Sequence, residues 1–349
     1  MAIQNYSSVT PRVAKLKGRI LKFVQPTEVL SIAGTTEEIP RNMSDTIVFR
    51  RWLPFGGVDN QWITGSNVDT FSSDHVLAEG VTPSADTLTA TDITATLVNY
   101  GVLYSVSNKT VDTYEDDVPE PMKKQTGMRV GLIKEMNRYG AVKAGTNTFF
   151  AGGTSRGTVD ESLSINLLRK VTRSLMANHA EMVTQTLAPS PNYATRAVEP
   201  AWLVFCSTDM ESDIRDLPGF TNVTDYGTRK PVSDYEIGSV ERYRFILSPE
   251  LAAYIDSGAA VGSTGLYSTN ASNIDVYPVL VVSQEAYGSV GLRGDMAMDV
   301  TWLPPKTKDK NDPLGQRGYI GAQFYDVAVI LNQGHMAVVE AGAASLSWF

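Results

Sequence analysis

Hydrophobic spacing divides this chain into stretches of different period. Residues 45–53 and 92–106 are rich in Thr, Val, Ile and aromatic side chains and predict two strands. Between them lies a long polar stretch with Gly56, Gly57, Gly65, Gly80 and Pro83. A structureless loop of that length is unusual inside a compact domain, so 45–106 is read as a projecting β-hairpin.

The pattern then changes to a helical period. Met122, Thr126, Val130, Ile133, Met136 and Gly140 recur every three or four residues and predict a helix over 118–144. Pro119 and Pro121 fit its first turn, and Gly145 fits its end. Acidic residues (Glu115, Asp116, Asp117, Glu120) gather at its start and basic ones (Lys134, Arg138, Lys143) toward its end, as the helix dipole favours. Its 27 residues would span about 40 Å, a strut as long as a small domain is wide. Gly127 and Gly131 predict a close approach by another element.

A second helix is expected over roughly 159–187, opened by a Thr158/Glu161 capping box and stopped by Pro189 and Pro191. Its apolar stripe is Leu163, Leu167, Val171, Leu175, Met182 and Thr186. Downstream, 201–206, 241–247, 275–283 and 319–331 predict strands, and 210–217 a short acidic helix. The Gly/Ser/Ala/Asn-rich stretch 256–273 predicts a mobile surface loop, and 306–312 a solvated turn. Residues 1–44, broken by Pro11, Pro26, Gly34 and Pro40, lack clear periodicity and read as an extended arm. Long helices beside segregated strands make the fold class α+β rather than alternating βαβ.

Composition narrows the function classes. The 349 residues carry a net charge of -8, and only 19% are charged, below the usual quarter. An acidic chain does not bind nucleic acid through its whole surface. One cysteine, Cys206, excludes a disulfide framework, and His75, His179 and His335 are too scattered for a local metal motif. No signal peptide is expected at the N-terminus, and no apolar run reaches membrane-helix length.

The charge is unevenly distributed. The first 30 residues hold Arg12, Lys15, Lys17, Arg19 and Lys22 against Glu28, a net +4. Residues 45–105 hold Asp45, Asp59, Asp69, Asp74, Glu79, Asp86 and Asp92 against Arg50 and Arg51, a net -5. The strut holds Lys123, Lys124, Arg129, Lys134, Arg138 and Lys143 against Glu120 and Glu135, a net +4.

Three chemical signals in the sequence are weak. The 152–157 loop is glycine-rich and precedes a helix, but lacks the Lys-Ser/Thr pair of a phosphate loop. Cys206 ends an apolar run and reads as a small core residue. Asp209, Glu211, Asp213 and Asp216 fit no calcium-loop spacing. No catalytic residue, cofactor or metal ligand is therefore expected.

Four segments, in order, carry a resemblance. They are Ile39-Pro40-Arg41-Asn42 leading into Asp45-Thr46-Ile47-Val48-Phe49-Arg50-Arg51; Leu77-Ala78-Glu79-Gly80-Val81-Thr82-Pro83; Tyr235-Glu236-Ile237-Gly238 with Tyr243-Arg244-Phe245; and Asp312-Pro313-Leu314-Gly315-Gln316-Arg317-Gly318 with Ala328-Val329-Ile330-Leu331-Asn332. Over about 28–341 the chain resembles the major capsid protein family of tailed bacteriophages that includes the schitovirus coat proteins. It departs at Gly315, where Asn is expected, and at Ser44, where Gly is common.

The resemblance implies a Hong Kong 97-type fold and a purely structural role. Copies would form hexamers and pentamers of an icosahedral shell around double-stranded DNA. The implied division is an arm at 1–44, an extended hairpin loop at 45–106, and a peripheral domain at 107–150. An axial domain at 151–315 and a return to the peripheral domain at 316–349 complete it. Implied partners are other copies, a portal and a separate scaffolding protein, with room for a cement protein. DNA would lie only at the inner face, with no membrane. The implied location is the virion capsid, assembled in the bacterial host cytoplasm. A decoration or tail protein is the alternative, and a soluble enzyme the remote one.

Charge asymmetry adds an expectation of its own. The acidic hairpin, through Asp69, Asp74, Glu79 and Asp86, is expected to lie over Lys123, Lys124, Arg129 and Lys134 of an adjacent copy. The basic arm is expected to meet a neighbour's acidic surface, with packaged DNA as the other option.

Overall fold

The computed structural model describes residues 25–54, 60–61, 71–83, 85, 87–114, 117–187, 195–227, 229–262, 264–293, 299–308 and 310–346, with backbone alone at 74, 187 and 195–198. The first strands are β1 (Thr35–Ile39), β2 (Thr46–Trp52), β3 (Ala90–Thr96), β4 (Val98–Ser107), β5 (Thr148–Phe150), β6 (Val183–Leu187), β7 (Thr195–Cys206) and β8 (Thr221–Asn222). They are followed by β9 (Glu236–Val240), β10 (Tyr243–Leu247), β11 (Val276–Val282), β12 (Tyr287–Leu292), β13 (Asp299–Leu303), β14 (Arg317–Ile330) and β15 (Met336–Gly342). The α-helices are α1 (Asn108–Thr113), α2 (Pro119–Val142), α3 (Ile165–Ala177) and α4 (Glu211–Arg215).

The larger sheet runs β5-β15-β11-β7-β10-β9-β8, with β6 paired to β7. Its middle strands are apolar without alternation because both faces are covered. On one face Trp202, Val204, Val279 and Val281 meet Leu167, Leu168, Val171 and Leu175 of α3. On the other, Leu203, Phe205, Leu280 and Val282 meet Val29, Leu30, Tyr139 and Val142. Pro278 is tolerated in β11 because pairing with β7 involves only Leu280, Val281 and Val282.

The second sheet runs β1-β12-β14-β13, with β4 along β14. The strut α2 packs on β4 and β14 through Val130 against Val102, Ala322 and Phe324. Strands β2 and β3 form a separate two-stranded hairpin from Thr46↔Thr96 to Trp52↔Ala90.

The α+β reading and the strut agree with these elements, but several expectations are corrected. The helix expected over 159–187 stops at Ala177. Asn178 caps it, and His179, at φ 54, turns the chain back so that 183–187 becomes β6. Its N-cap is Ser164, whose side chain accepts the Leu167 N–H, rather than the Thr158/Glu161 pair. The strand expected at 92–106 is two strands, β3 and β4, broken at Leu97, whose N–H turns to the Asp45 carbonyl. Residues 35–39, read as part of an extended arm, are β1, paired in parallel with β12.

The strands near the C-terminal end are shared between the two sheets. Within 316–349, β14 joins the second sheet, whereas β15 lies between β5 and β11 in the larger one. Strand β12, inside 151–315, belongs to the second sheet. Sequence reading missed β15 because its Glu340 interrupts the apolar run. The loop expected to be mobile at 256–273 is tied down: Asp275 accepts the N–H groups of Asp256 and Thr269.

Candidate assembly surfaces

The chain enters the described fold by docking onto the strut. Thr27 accepts the Ser248 hydroxyl at 3.1 Å, and Leu30 accepts the Tyr287 hydroxyl. Glu135 Oε1 accepts the N–H groups of Val29 and Leu30 at 2.8 and 2.9 Å. Gly131 makes the approach possible, because a Cβ there would overlap the Glu28 carboxyl. Gly127, the other glycine of the expected contact, faces open space.

Glu135 is fully buried, with Arg138 3.9 Å from its other oxygen. Burial pushes its carboxyl above the usual range, opposed by the Leu30 and Val29 N–H groups and by Arg138. Met122, Thr126 and Val130 of the expected stripe are buried, but beyond them the buried positions are Glu135, Tyr139 and Val142 rather than Ile133, Met136 and Gly140. The legible signal was Gly131 four residues before Glu135.

The strut cations expected to face a neighbour first meet their own chain. Lys123 lies 5.1 Å over the Trp302 ring, Arg129 5.9 Å over Tyr104, and Lys134 5.1 Å over Phe324. Lys124 pairs with Glu120 at 2.7 Å. Burial lowers the Lys134 ammonium from its ordinary value, partly offset by Asp326. Cation–π contact leaves the charge in place, so Lys123, Lys124 and Arg129, all exposed, still present a positive face.

The hairpin region presents apolar surface. On the outward face of β2, Val48 and Trp52 are 53% and 60% exposed. Beyond the strands, Val76, Leu77, Val81 and Leu88 are all exposed. Glu79 is exposed among them, at the second resemblance segment. Asp69 and Asp86 lie outside the described residues, as does the Asp74 side chain. The basic residues Arg12, Lys15, Lys17, Arg19 and Lys22 lie outside them too. Asp92 is bound by Arg50 at 2.8 and 2.9 Å, which holds its carboxyl below the ordinary range. At the hairpin root, Asn60 and Asn332 exchange side-chain hydrogen bonds of 2.9 and 3.0 Å, and Arg51 donates to Asn60. Two resemblance segments, far apart in sequence, thus meet at one joint.

The weak chemical signals resolve into structure. Cys206 is buried, and burial pushes its thiol up, which disfavours a thiolate. In the 152–157 loop, the N–H groups of Thr154 and Ser155 are given to Thr158 Oγ1. The loop presents Arg156 to the buried Glu340 through bonds of 2.8 and 2.6 Å, with Tyr254 stacked 3.6 Å from the guanidinium. Asp213 accepts the Ala344 N–H, and Glu211 pairs with Arg215. Among the described residues, no three His, Cys, Asp or Glu side chains are grouped to hold a metal. No helix among them is long and apolar enough to cross a membrane.

No family model matches the chain. The major capsid protein of Pseudomonas phage KPP21 is 23% identical over 209 residues, covering 55% of this chain and 51% of that protein. The matched part thus spans about half the length of this curated relative. Among solved structures, the capsid of Ralstonia phage GP4 aligns at a TM-score of 0.64 and 11% identity, covering 99% of each chain. The head structure of Helicobacter pylori bacteriophage KHP40 aligns at 0.60 and 8% identity, covering 98% of each. The capsid of cyanophage Pam1 aligns at 0.59 and 15% identity, covering 99% of this chain and 100% of that one. The mixed α+β fold is therefore one found in phage capsids.

Proposed function

We propose that this chain is the structural major capsid protein of a tailed bacteriophage. Copies self-associate as hexamers and pentamers into an icosahedral shell enclosing double-stranded DNA, and the chain's place is the virion capsid. The observation that carries this reading is whole-length likeness to phage capsid chains, joined to a hairpin region whose apolar side chains stand exposed among the described residues. Exposed apolar surface of this kind marks an interaction site.

In this reading the fold is of the Hong Kong 97 type. Residues before 45 form the arm, 45–106 the extended loop, α2 the spine of the peripheral domain, and the larger sheet the axial domain. The role is structural, without catalysis. The portal, a separate scaffolding protein and packaged DNA at the inner face are further partners, with room for a cement protein. Assembly occurs in the host cytoplasm.

The acidic hairpin region meets the exposed cations of the neighbouring strut, where pairing sets register more than affinity. Purified protein viewed by size exclusion and negative stain is expected to give capsomers or polyhedral shells. A 38 kDa monomer under all conditions would overturn the function. Tubes or trimers would point to a tail or decoration protein instead. Replacing Lys123, Lys124 and Arg129 with Glu is expected to lower shell yield and salt tolerance, and unchanged values would sink the hairpin–strut pairing.

A further inference from the structure

Two free strand edges border one groove. Among the described residues, β1 pairs only with β12, and β6 only with β7. Between them lies a cavity of about 310 Å³ lined by Ile32, Gly34, Thr35 and Thr36 on one side and Val183 and Gln185 on the other. The β1 side is rigidly placed. Tyr287 bonds the Leu30 carbonyl, and a Cβ on Gly34 would come within 2.7 Å of its ring.

The groove has an acidic rim. Glu37 and Glu38 follow Thr36 along the β1 edge on opposite faces of the strand, and both are exposed. Glu285 lines the cavity and is exposed, as is nearby Glu181. Cations lie nearby too: Arg293 is 3.9 Å from Glu38, Arg41 donates to the Arg293 carbonyl, and Arg138 donates to Ser289, which pairs with Thr36. Neither edge carries a lysine or proline on its own strand, the devices that usually blunt an unpaired edge.

The chain also contains a segment suited to such an edge. Lys15, Lys17 and Arg19 alternate with Leu16, Gly18 and Ile20. Extended, this stretch would put three positive charges on one face and two apolar side chains on the other. We propose that the basic N-terminal segment around 15–20 of a second copy adds as a strand to the edge of β1, its cations on the face that carries Thr36 and Glu38 and toward Glu285. Main-chain hydrogen bonds would supply the affinity and the charges the choice of partner. The proposal rests on the self-association reading and gives the arm a specific seat.

The test uses full-length chains and inter-copy disulfides. The native thiol, Cys206, is buried and does not compete. Chains carrying Lys15→Cys, Lys17→Cys or Arg19→Cys are mixed with a Thr36→Cys chain and oxidised. At least one mixture is expected to give a cross-linked heterodimer at five-fold or more the level seen with a Lys170→Cys control on exposed α3. Adding Glu37→Lys and Glu38→Lys to the Thr36→Cys chain should return the yield to the control level. A Lys15→Glu variant carrying Lys17→Cys should recover part of it on that reversed edge. Melting curves and circular dichroism identify variants that fail to fold. Control-level cross-linking by all three arm positions would overturn the proposal, as would a yield indifferent to reversal of the rim. Wild-type shells without cross-links would reject this seat and leave the capsid reading standing. Cross-links without shells would reject the capsid reading and leave the seat.

Discussion

The larger sheet and the β2–β3 hairpin are both built from apolar, β-branched strands, yet they meet opposite fates. Every residue of β11 and β15 is buried, with α3 on one face of the sheet and the docked 27–32 turn and strut on the other. On the hairpin, only the inward row is covered, where Ile47 and Phe49 pack near Ala95, Ile39 and Val290. Its outward row, with Val48 and Trp52, stays open. The first region spends its apolar surface on folding the chain. The second keeps part of that surface for something outside it.

The sharpest break of this contrast is at Trp202, a fully buried side chain under α3 whose ring is tilted against Tyr243 with centroids 5.5 Å apart. Trp202→Ala is expected to destabilise the chain by about 3–5 kcal/mol in urea unfolding. A loss below about 1 kcal/mol would mean that the sheet is not the centre of stability.

Next is the joint where the arm enters. Glu135→Ala leaves the Val29 and Leu30 N–H groups buried without their acceptor and is expected to cost about 2 kcal/mol. Hydrogen-exchange protection at those two amides should fall first. Glu135→Gln tests the charge itself. The folded chain holds the Glu135 proton more tightly than the unfolded chain, because burial raises the carboxyl. As pH falls from neutral through the folded value, this residue adds stability. The gain ends once the unfolded carboxyl, near about 4.3, is protonated too. The Gln variant should lack that dependence and gain on wild type as pH rises through the same window. A pH-independent difference would contradict a raised carboxyl.

The smallest effect on folding, and the most telling, is at Trp52. Trp52→Ser is expected to change the chain's own stability by less than about 0.5 kcal/mol. Its cost should appear in assembly, as a several-fold drop in particle yield. A large loss of thermal stability in the isolated chain would erase the contrast, because Trp52 would then be serving the chain's own fold.

Much of the fold was legible one element at a time. The strut was readable because its apolar spacing, first-turn prolines and end charges agree, and α2 spans Pro119–Val142 within two residues of the expected limits. The middle of the second helix was readable from its apolar spacing, since Leu167, Val171 and Leu175 are buried on α3, although α3 starts at Ile165. Its end was not, because Met182 and Thr186 continue a helical spacing that His179 interrupts through backbone conformation alone. Glu340 hid β15, since a charge in an apolar run reads as a break until Arg156, from a distant loop, is seen to bind it.

The candidate surfaces divide in the same way. Charge counting along the sequence found a basic strut and an acidic hairpin, since formal charge is a property of composition. Which charges face outward was a question of neighbours. Trp302, Tyr104 and Phe324 come under the strut cations from strands up to some 190 residues away in sequence, and Arg50 already holds Asp92.

The sequence by itself determined the α+β class, the strut, the apolar runs of β11 and β14, and a polarity of charge along the chain. These follow from local periods and composition, which need no folded neighbour. Only the tertiary structure decided that Glu135 receives the arm and, among the described residues, that β1 and β6 each keep one edge unpaired and that the hairpin's outward row is exposed. Burial, edge pairing and the satisfaction of backbone N–H groups depend on which distant segments meet, and no local period encodes that meeting.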